Sequence, residues 1–162
     1  QWTALEVYST HNPEESEIND LDIRYLPQSV VSAFNPARSI GASIAEIQDM
    51  YQITNPDILK WLSLFGLSSD DLLKYPNELS GGEIQRMGII SVLLGNPDLI
   101  LLDESFSSVD QGTRESIWAA LMDRQRAFRF GLLVVSHDLG WLNDKMNKVY
   151  KLERNLSREL NT

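Results

Sequence analysis

The chain contains no cysteine, so neither a disulfide framework nor a thiolate metal site is open to it, and the composition suits a reducing compartment without requiring one. Positive charge is scarce: 14 lysines and arginines stand against 23 acidic residues, a formal charge of -9. That excess repels phosphate backbones and anionic lipid, which argues against nucleic acid as a partner. No apolar run approaches the roughly 18 residues a membrane-spanning helix needs. Internal repeats and low-complexity tracts are absent too. The first residue is Gln1, not methionine, and no basic-then-apolar leader follows it, the pattern expected of a fragment or a trimmed product.

What is present suffices for a core. Of 162 residues, 43% are hydrophobic, as in one ordinary folded domain. Ile23 to Leu26 reads as a short strand ended by Pro27, whereas the first twenty residues are ambiguous. Ile40, Ile44, Ile47 and Tyr51 recur at helical spacing, as do Ile58, Leu62 and Phe65 after the Asn55-Pro56 start signal. Ile84 to Leu94 is predicted to be a largely buried helix that stops at Gly95-Asn96-Pro97. Leu99 to Leu102 is too short for a helix, and its unbroken apolarity predicts a strand buried on both faces. Gln111 to Phe128 returns to helical spacing, Leu132 to Val135 reads as a second buried strand, and a helix from Asp138 to about Asn147 leads to a last strand near Val149 to Leu152. This order predicts an α/β fold: a parallel sheet flanked by helices, with a helical insertion of about 50 residues between its first two recognisable strands.

Five features can carry chemistry. Leu79-Ser80-Gly81-Gly82 opens a helix, where free N–H groups, a hydroxyl and two small glycines suit a phosphate. A plain Ser-Gly helix cap is the alternative. Leu99-Ile100-Leu101-Leu102-Asp103-Glu104 delivers two carboxylates at a strand's C-terminal end, where ligands bind in open parallel sheets. Asp103 can hold Mg²⁺ and Glu104 can polarise a water for attack on a phosphoryl group, unless the pair merely terminates a strand. His137 follows another predicted strand and can donate to a phosphate oxygen, or be an exposed loop histidine. Gln28 follows the first strand, where its amide can meet both a cation and water, or simply form a turn. Asp110 is by ordinary rules the N-cap of the helix beginning at Gln111. His11 is assigned no role.

Taken in this order, these features resemble the ABC ATPase family. Leu79 to Glu83 is similar to its signature sequence, Leu99 to Glu104 to its Walker B strand with the catalytic glutamate, Ser107 to Asp110 to its D-loop, His137 to its switch histidine and Gln28 to its Q-loop glutamine. Pro27-Gln28, Ser32-Ala33-Phe34-Asn35-Pro36, Ile40-Gly41, Ile44-Ala45-Glu46 and Tyr75-Pro76 look most like importers of oligopeptides, dipeptides or nickel. The resemblance implies a P-loop NTPase-type fold with residues 1–28 and 96–162 in the core and 29–95 in an inserted α-helical subdomain. It also implies ATP and Mg²⁺. Glu104, His137 and Gln28 would be catalytic, Asp103 and Gln28 would serve the metal, and Ser80, Gly81, Gly82, Glu83 and Asp110 would meet the nucleotide. Two subunits, alike or different, would pack head to tail on membrane permease subunits at the cytoplasmic face, with a solute-binding protein as an indirect partner.

Three departures stand out. No Gly-Lys pair occurs anywhere, so the Gly-x-x-x-x-Gly-Lys-Ser/Thr phosphate loop is missing, and these residues alone are expected to be inactive toward ATP. In the family that loop lies upstream of the Gln28 strand, which makes truncation the expected cause. Ser105 stands where the family usually has proline, and Glu83 where glutamine is common. The rival readings are a noncatalytic partner that contributes only its signature face and a soluble ABC ATPase outside transport.

Overall fold

The computed structural model describes residues 2–4, 21–53, 58–146 and 149–152. The elements in chain order are β1 (Trp2–Ala4), β2 (Ile23–Leu26), α1 (Ile40–Met50), α2 (Ile58–Leu64), α3 (Gly81–Leu93), β3 (Leu99–Asp103), α4 (Gln111–Phe128), β4 (Gly131–Val135), α5 (Leu139–Asn143) and β5 (Tyr150–Leu152). Short 3₁₀ turns at Val30–Ala33, Ser69–Leu73 and Pro76–Glu78 join the helices between β2 and β3.

Strands β2, β3 and β4 form a parallel sheet in that order, with Leu26 opposite Leu102 and Asp103 opposite Val135. The expected strand at the chain's end exists but does not extend this sheet: β5 pairs antiparallel with β1 in a separate two-stranded ribbon. The helix after β4 has only five residues, Leu139–Asn143, about 7.5 Å of rise. It is too short to carry the chain back along the sheet, as a parallel crossover does. It also stops well before Asn147, which lies outside the described residues.

A second correction concerns β3. Ile100 and Leu102 are fully buried, but Leu99, Leu101 and Asp103 are only half-buried. The neighbouring strand follows the same alternation: Arg24 and Leu26 are buried, while Ile23 and Tyr25 are exposed on the other face. Apolar composition alone could not tell one covered face from two, since it is the packed helices that decide.

Helix α3 covers the buried face. Ser80 caps it, and Ile84, Met87, Ile89, Ile90 and Leu93 lie in the core. Its approach to β2 is close enough to require Gly88, where an added Cβ would sit 2.5 Å from Val30 Cγ1 and 2.8 Å from Leu26 Cδ1. Leu94 leaves the helix in an extended conformation, and Gly95 turns the chain at φ +72°, a conformation that favours glycine. Arg24 holds this end: its Nη1 donates to the Leu94 carbonyl at 2.6 Å, its Nε and Nη2 grip Asp22 at 2.9 and 2.7 Å, and Tyr51 lies 3.7 Å below the guanidinium. Arg124 of α4 donates to the Gly95 carbonyl. Two cations thus meet a helix C-terminus, where the helix dipole favours them. Among the described residues no helix is long and apolar enough to cross a membrane.

Candidate functional site

The parallel register brings the chemistry-bearing residues to one edge. Leu26 and Leu102 are paired partners, and Gln28 and Glu104 each follow them by two residues. Gln28 is exposed just beyond Pro27. On the next strand, Val135 pairs with Asp103 and precedes Ser136 and His137.

Glu104 sits at the centre of this edge. Its backbone takes a left-handed conformation, φ +50°, which costs a residue with a Cβ about 1 kcal/mol or more and persists only when the surroundings fix it. Here they do. The Glu104 N–H donates to the Val135 carbonyl at 2.9 Å, and its carbonyl accepts from the Ser107 N–H at 3.2 Å and the Ser107 hydroxyl at 2.9 Å. The residue is 3% exposed. Nδ1 of His137 stands 2.8 Å from its Oε2, with the imidazole itself 71% exposed. That contact lies outside hydrogen-bonding geometry, so Oε2 remains a buried acceptor without a hydrogen bond. Asp103 is similar. Its Oδ2 accepts from the Tyr25 hydroxyl at 3.0 Å, while its Oδ1 is buried and has no partner. Ser105, 1% exposed, donates to the Asp103 carbonyl at 3.4 Å; serine is accommodated at the position where proline was expected.

Two adjacent carboxylates with unsatisfied, buried oxygens suit a hard cation. Among the described residues no three His, Cys, Asp or Glu side chains are grouped to hold a metal by themselves. Mg²⁺ commonly takes only one or two carboxylates and completes its shell with water and substrate phosphates. The donor set therefore fits Mg²⁺ as a partial site.

The diglycine tip is outside the core. Ser80 and Gly81 are exposed, and a Cβ added to Gly81 would meet nothing within 4 Å. Ser80 is an N-cap as well: its Oγ accepts from the Glu83 N–H at 3.3 Å, and the Glu83 carboxylate accepts from the Ser80 N–H at 2.7 Å, a reciprocal capping box. That N–H holds the Glu83 carboxyl below its ordinary range. Gly82 lies against the Ser105–Asp110 loop, its added Cβ 3.3 Å from the Ser108 carbonyl oxygen. Asp110 caps α4 through the Thr113 N–H at 3.0 Å, which lowers its pKa. Ser80, Gly81 and Asp110 all face solvent and do not join the Glu104 cluster, although their loops touch.

Several residues at this edge escaped the sequence reading. Tyr25 is one. Arg114 is another: its Nη1 donates to Asp138 Oδ2 at 2.9 Å while its guanidinium lies 4.8 Å above Trp141. The Trp141 N–H, ahead of Arg114, holds the Asp138 carboxyl below its ordinary value. Phe106, Trp118 and Trp141 pack together with centroids 5.0 to 6.0 Å apart, Trp118 edge to face with both partners and Phe106 tilted against Trp141, fastening the loop after Glu104 and the helix after His137 onto α4. Trp141 at the fourth position from His137 is the only sequence hint of this.

Residues 5–107, more than half the chain, match the ABC transporter family. The chain belongs to that family. Among curated relatives, this ABC chain is 29% identical to the oligopeptide transport ATP-binding protein OppF of Salmonella typhimurium over 99% of its own length and 50% of the relative's. It is 33% identical to the glutathione import ATP-binding protein GsiA of Escherichia coli over 80% of its length and 22% of the relative's. The chain thus spans half or less of the relatives it matches. Among solved structures, an ATP-binding subunit of an ABC transporter superposes with a TM-score of 0.68 at 18% identity, covering 82% of this chain and 55% of the other. A dimeric ATP-binding cassette bound to ADP and Pi gives 0.64 at 22% identity, covering 89% and 70%. These likenesses establish the ABC cassette fold for the described sheet and helices.

Proposed function

We propose that the complete protein is the ATP-hydrolysing subunit of an ABC importer of the peptide-importing kind, with nickel as the other solute class its motifs suggest. The observation that carries this reading is the common edge at which Asp103, Glu104 and His137 meet, with the exposed Ser80–Gly81 tip pointing away from the core. The names of the OppF and GsiA relatives support the peptide assignment.

In this reading Glu104 is the general base. Its buried Oε2 accepts the proton of an attacking water, and the locked backbone turn holds it there. His137, exposed at the surface and 2.8 Å from that oxygen, donates to a γ-phosphate oxygen and keeps the water in line. Asp103 and Gln28 hold Mg²⁺, which when bound offsets the charge of the phosphoryl oxygens. The free N–H groups of Gly81 and Gly82 and the Ser80 hydroxyl, with Glu83 fixing the cap through the Ser80 N–H, receive the phosphates of a nucleotide held by a second ABC subunit, whose loop Asp110 meets. Residues 29–95 act as the helical subdomain and pass closure to integral membrane permease subunits at the cytoplasmic face, while 1–28 and 96–162 belong to the core. A solute-binding protein delivers cargo to the permease and touches this subunit only indirectly.

The test is Glu104→Gln in the complete protein assembled with its permease. Loss of a general base lowers steady-state ATP hydrolysis about 10²-fold or more, with nucleotide binding retained. A rate unchanged by the substitution removes Glu104 from this role.

A further inference from the structure

Tyr25 is a large aromatic residue left 56% exposed on β2, and its hydroxyl makes one specific bond, to Asp103 Oδ2 at 3.0 Å. The two residues are 78 positions apart in sequence and meet because β2 and β3 run parallel with Tyr25 opposite Leu101. Residues two apart on a strand share a face, so Asp103 lies one step diagonally from Tyr25. The consequence for the carboxylate is asymmetric. One oxygen is satisfied by the phenol, and the other, Oδ1, is buried without a hydrogen bond. A carboxylate free at both oxygens can rotate about its last torsion, which is broad; a bond at one oxygen fixes the plane and aims the second. Tyr25 also stands three residues before Gln28 on the strand that leads to it.

Resting on the function proposed above, we propose that Tyr25 is a positioning residue for the divalent cation: its hydroxyl anchors Asp103 Oδ2 so that Oδ1 is presented to the metal. Tyr25 does not touch the reacting atoms.

The experiment uses the complete protein with a non-hydrolysable ATP analogue and Mn²⁺ as the probe, with binding followed by electron paramagnetic resonance. Tyr25→Phe removes only the hydroxyl. Losing one hydrogen bond to a charged group should weaken Mn²⁺ about tenfold, leave metal-free nucleotide affinity unchanged, and allow raised Mg²⁺ to restore hydrolysis. Tyr25→Leu, a second variant without the hydroxyl, should give the same shift. A role confined to folding would instead lower activity equally at every Mg²⁺ concentration. Mn²⁺ affinity within twofold of the parent in both variants, alongside a sharp loss in Asp103→Asn, overturns the assignment of Tyr25 and leaves the proposed function standing. Unchanged Mn²⁺ affinity in Asp103→Asn overturns both.

Discussion

Gly88 offers a test of how closely helix α3 must lie on the sheet. In a helix interior, alanine in place of glycine ordinarily gains about 1 kcal/mol. At this position the new methyl would stand 2.5 Å from Val30 Cγ1 and 2.8 Å from Leu26 Cδ1, well inside the roughly 3.5–4.0 Å of an unstrained carbon contact. Neither neighbour has room to retreat: Leu26 is 0% and Val30 3% exposed, and the branched valine is stiff about its first torsion. Overpacking of this kind costs about 1–3 kcal/mol, and two simultaneous overlaps belong at the upper end. Gly88→Ala should therefore be destabilising by a net of about 2 kcal/mol, read as a lower midpoint in equilibrium urea unfolding. Because the clash is local, Val30→Ala should relieve part of it, so the double variant should be more stable than the sum of the single changes by about 1 kcal/mol. A Gly88→Ala variant as stable as the parent, with no coupling to Val30→Ala, would refute the close-packing argument.

Arg24→Met should cost about 3 kcal/mol, because it leaves Asp22 and the Leu94 carbonyl without their shared cation; thermal unfolding reads the loss. Asp110→Ala removes the N-cap of α4 and should lower the thermal midpoint, whereas Asp110→Asn should retain most of the stability. Asp71, Glu83, Asp110 and Asp138 are all held below their ordinary pKa values, chiefly by Lys74 at Asp71 and by the backbone N–H groups of Ser80, Thr113 and Trp141 at the other three. At acid pH the folded chain consequently binds fewer protons than the unfolded one, so their contribution is complete above about pH 5 and is lost as pH falls through the lowered folded values. Urea midpoints that rose between pH 5 and pH 3 would contradict that sign.

The local signals in this sequence carried most of the architecture. Pro27 ended β2, the Ser80 and Asp110 caps opened α3 and α4 where they were expected, and Gly95 closed α3, because each of these acts within a few residues of chain. The arrival of Asp103, Glu104 and His137 at strand ends was legible for the same reason. What was not legible depends on partners far away in sequence. The burial of Arg24 in place of Ile23 is fixed by a carbonyl 70 residues distant, and the Tyr25–Asp103 bond by the register of two strands. Apolarity at Leu99 to Leu102 could not reveal that one sheet face is only partly covered, and strand propensity at Tyr150–Leu152 carried no information about its pairing with β1.

The left-handed backbone at Glu104 bears on any attempt to engineer heat resistance. Asparagine tolerates that geometry better than glutamate, so a library ranked on melting temperature alone would enrich it at this site. The winners would be sturdier proteins with the side chain facing His137 shortened and uncharged. On the general-base role proposed for Glu104, screens on this scaffold should score ATP turnover alongside robustness, since at position 104 the two demands pull toward different amino acids.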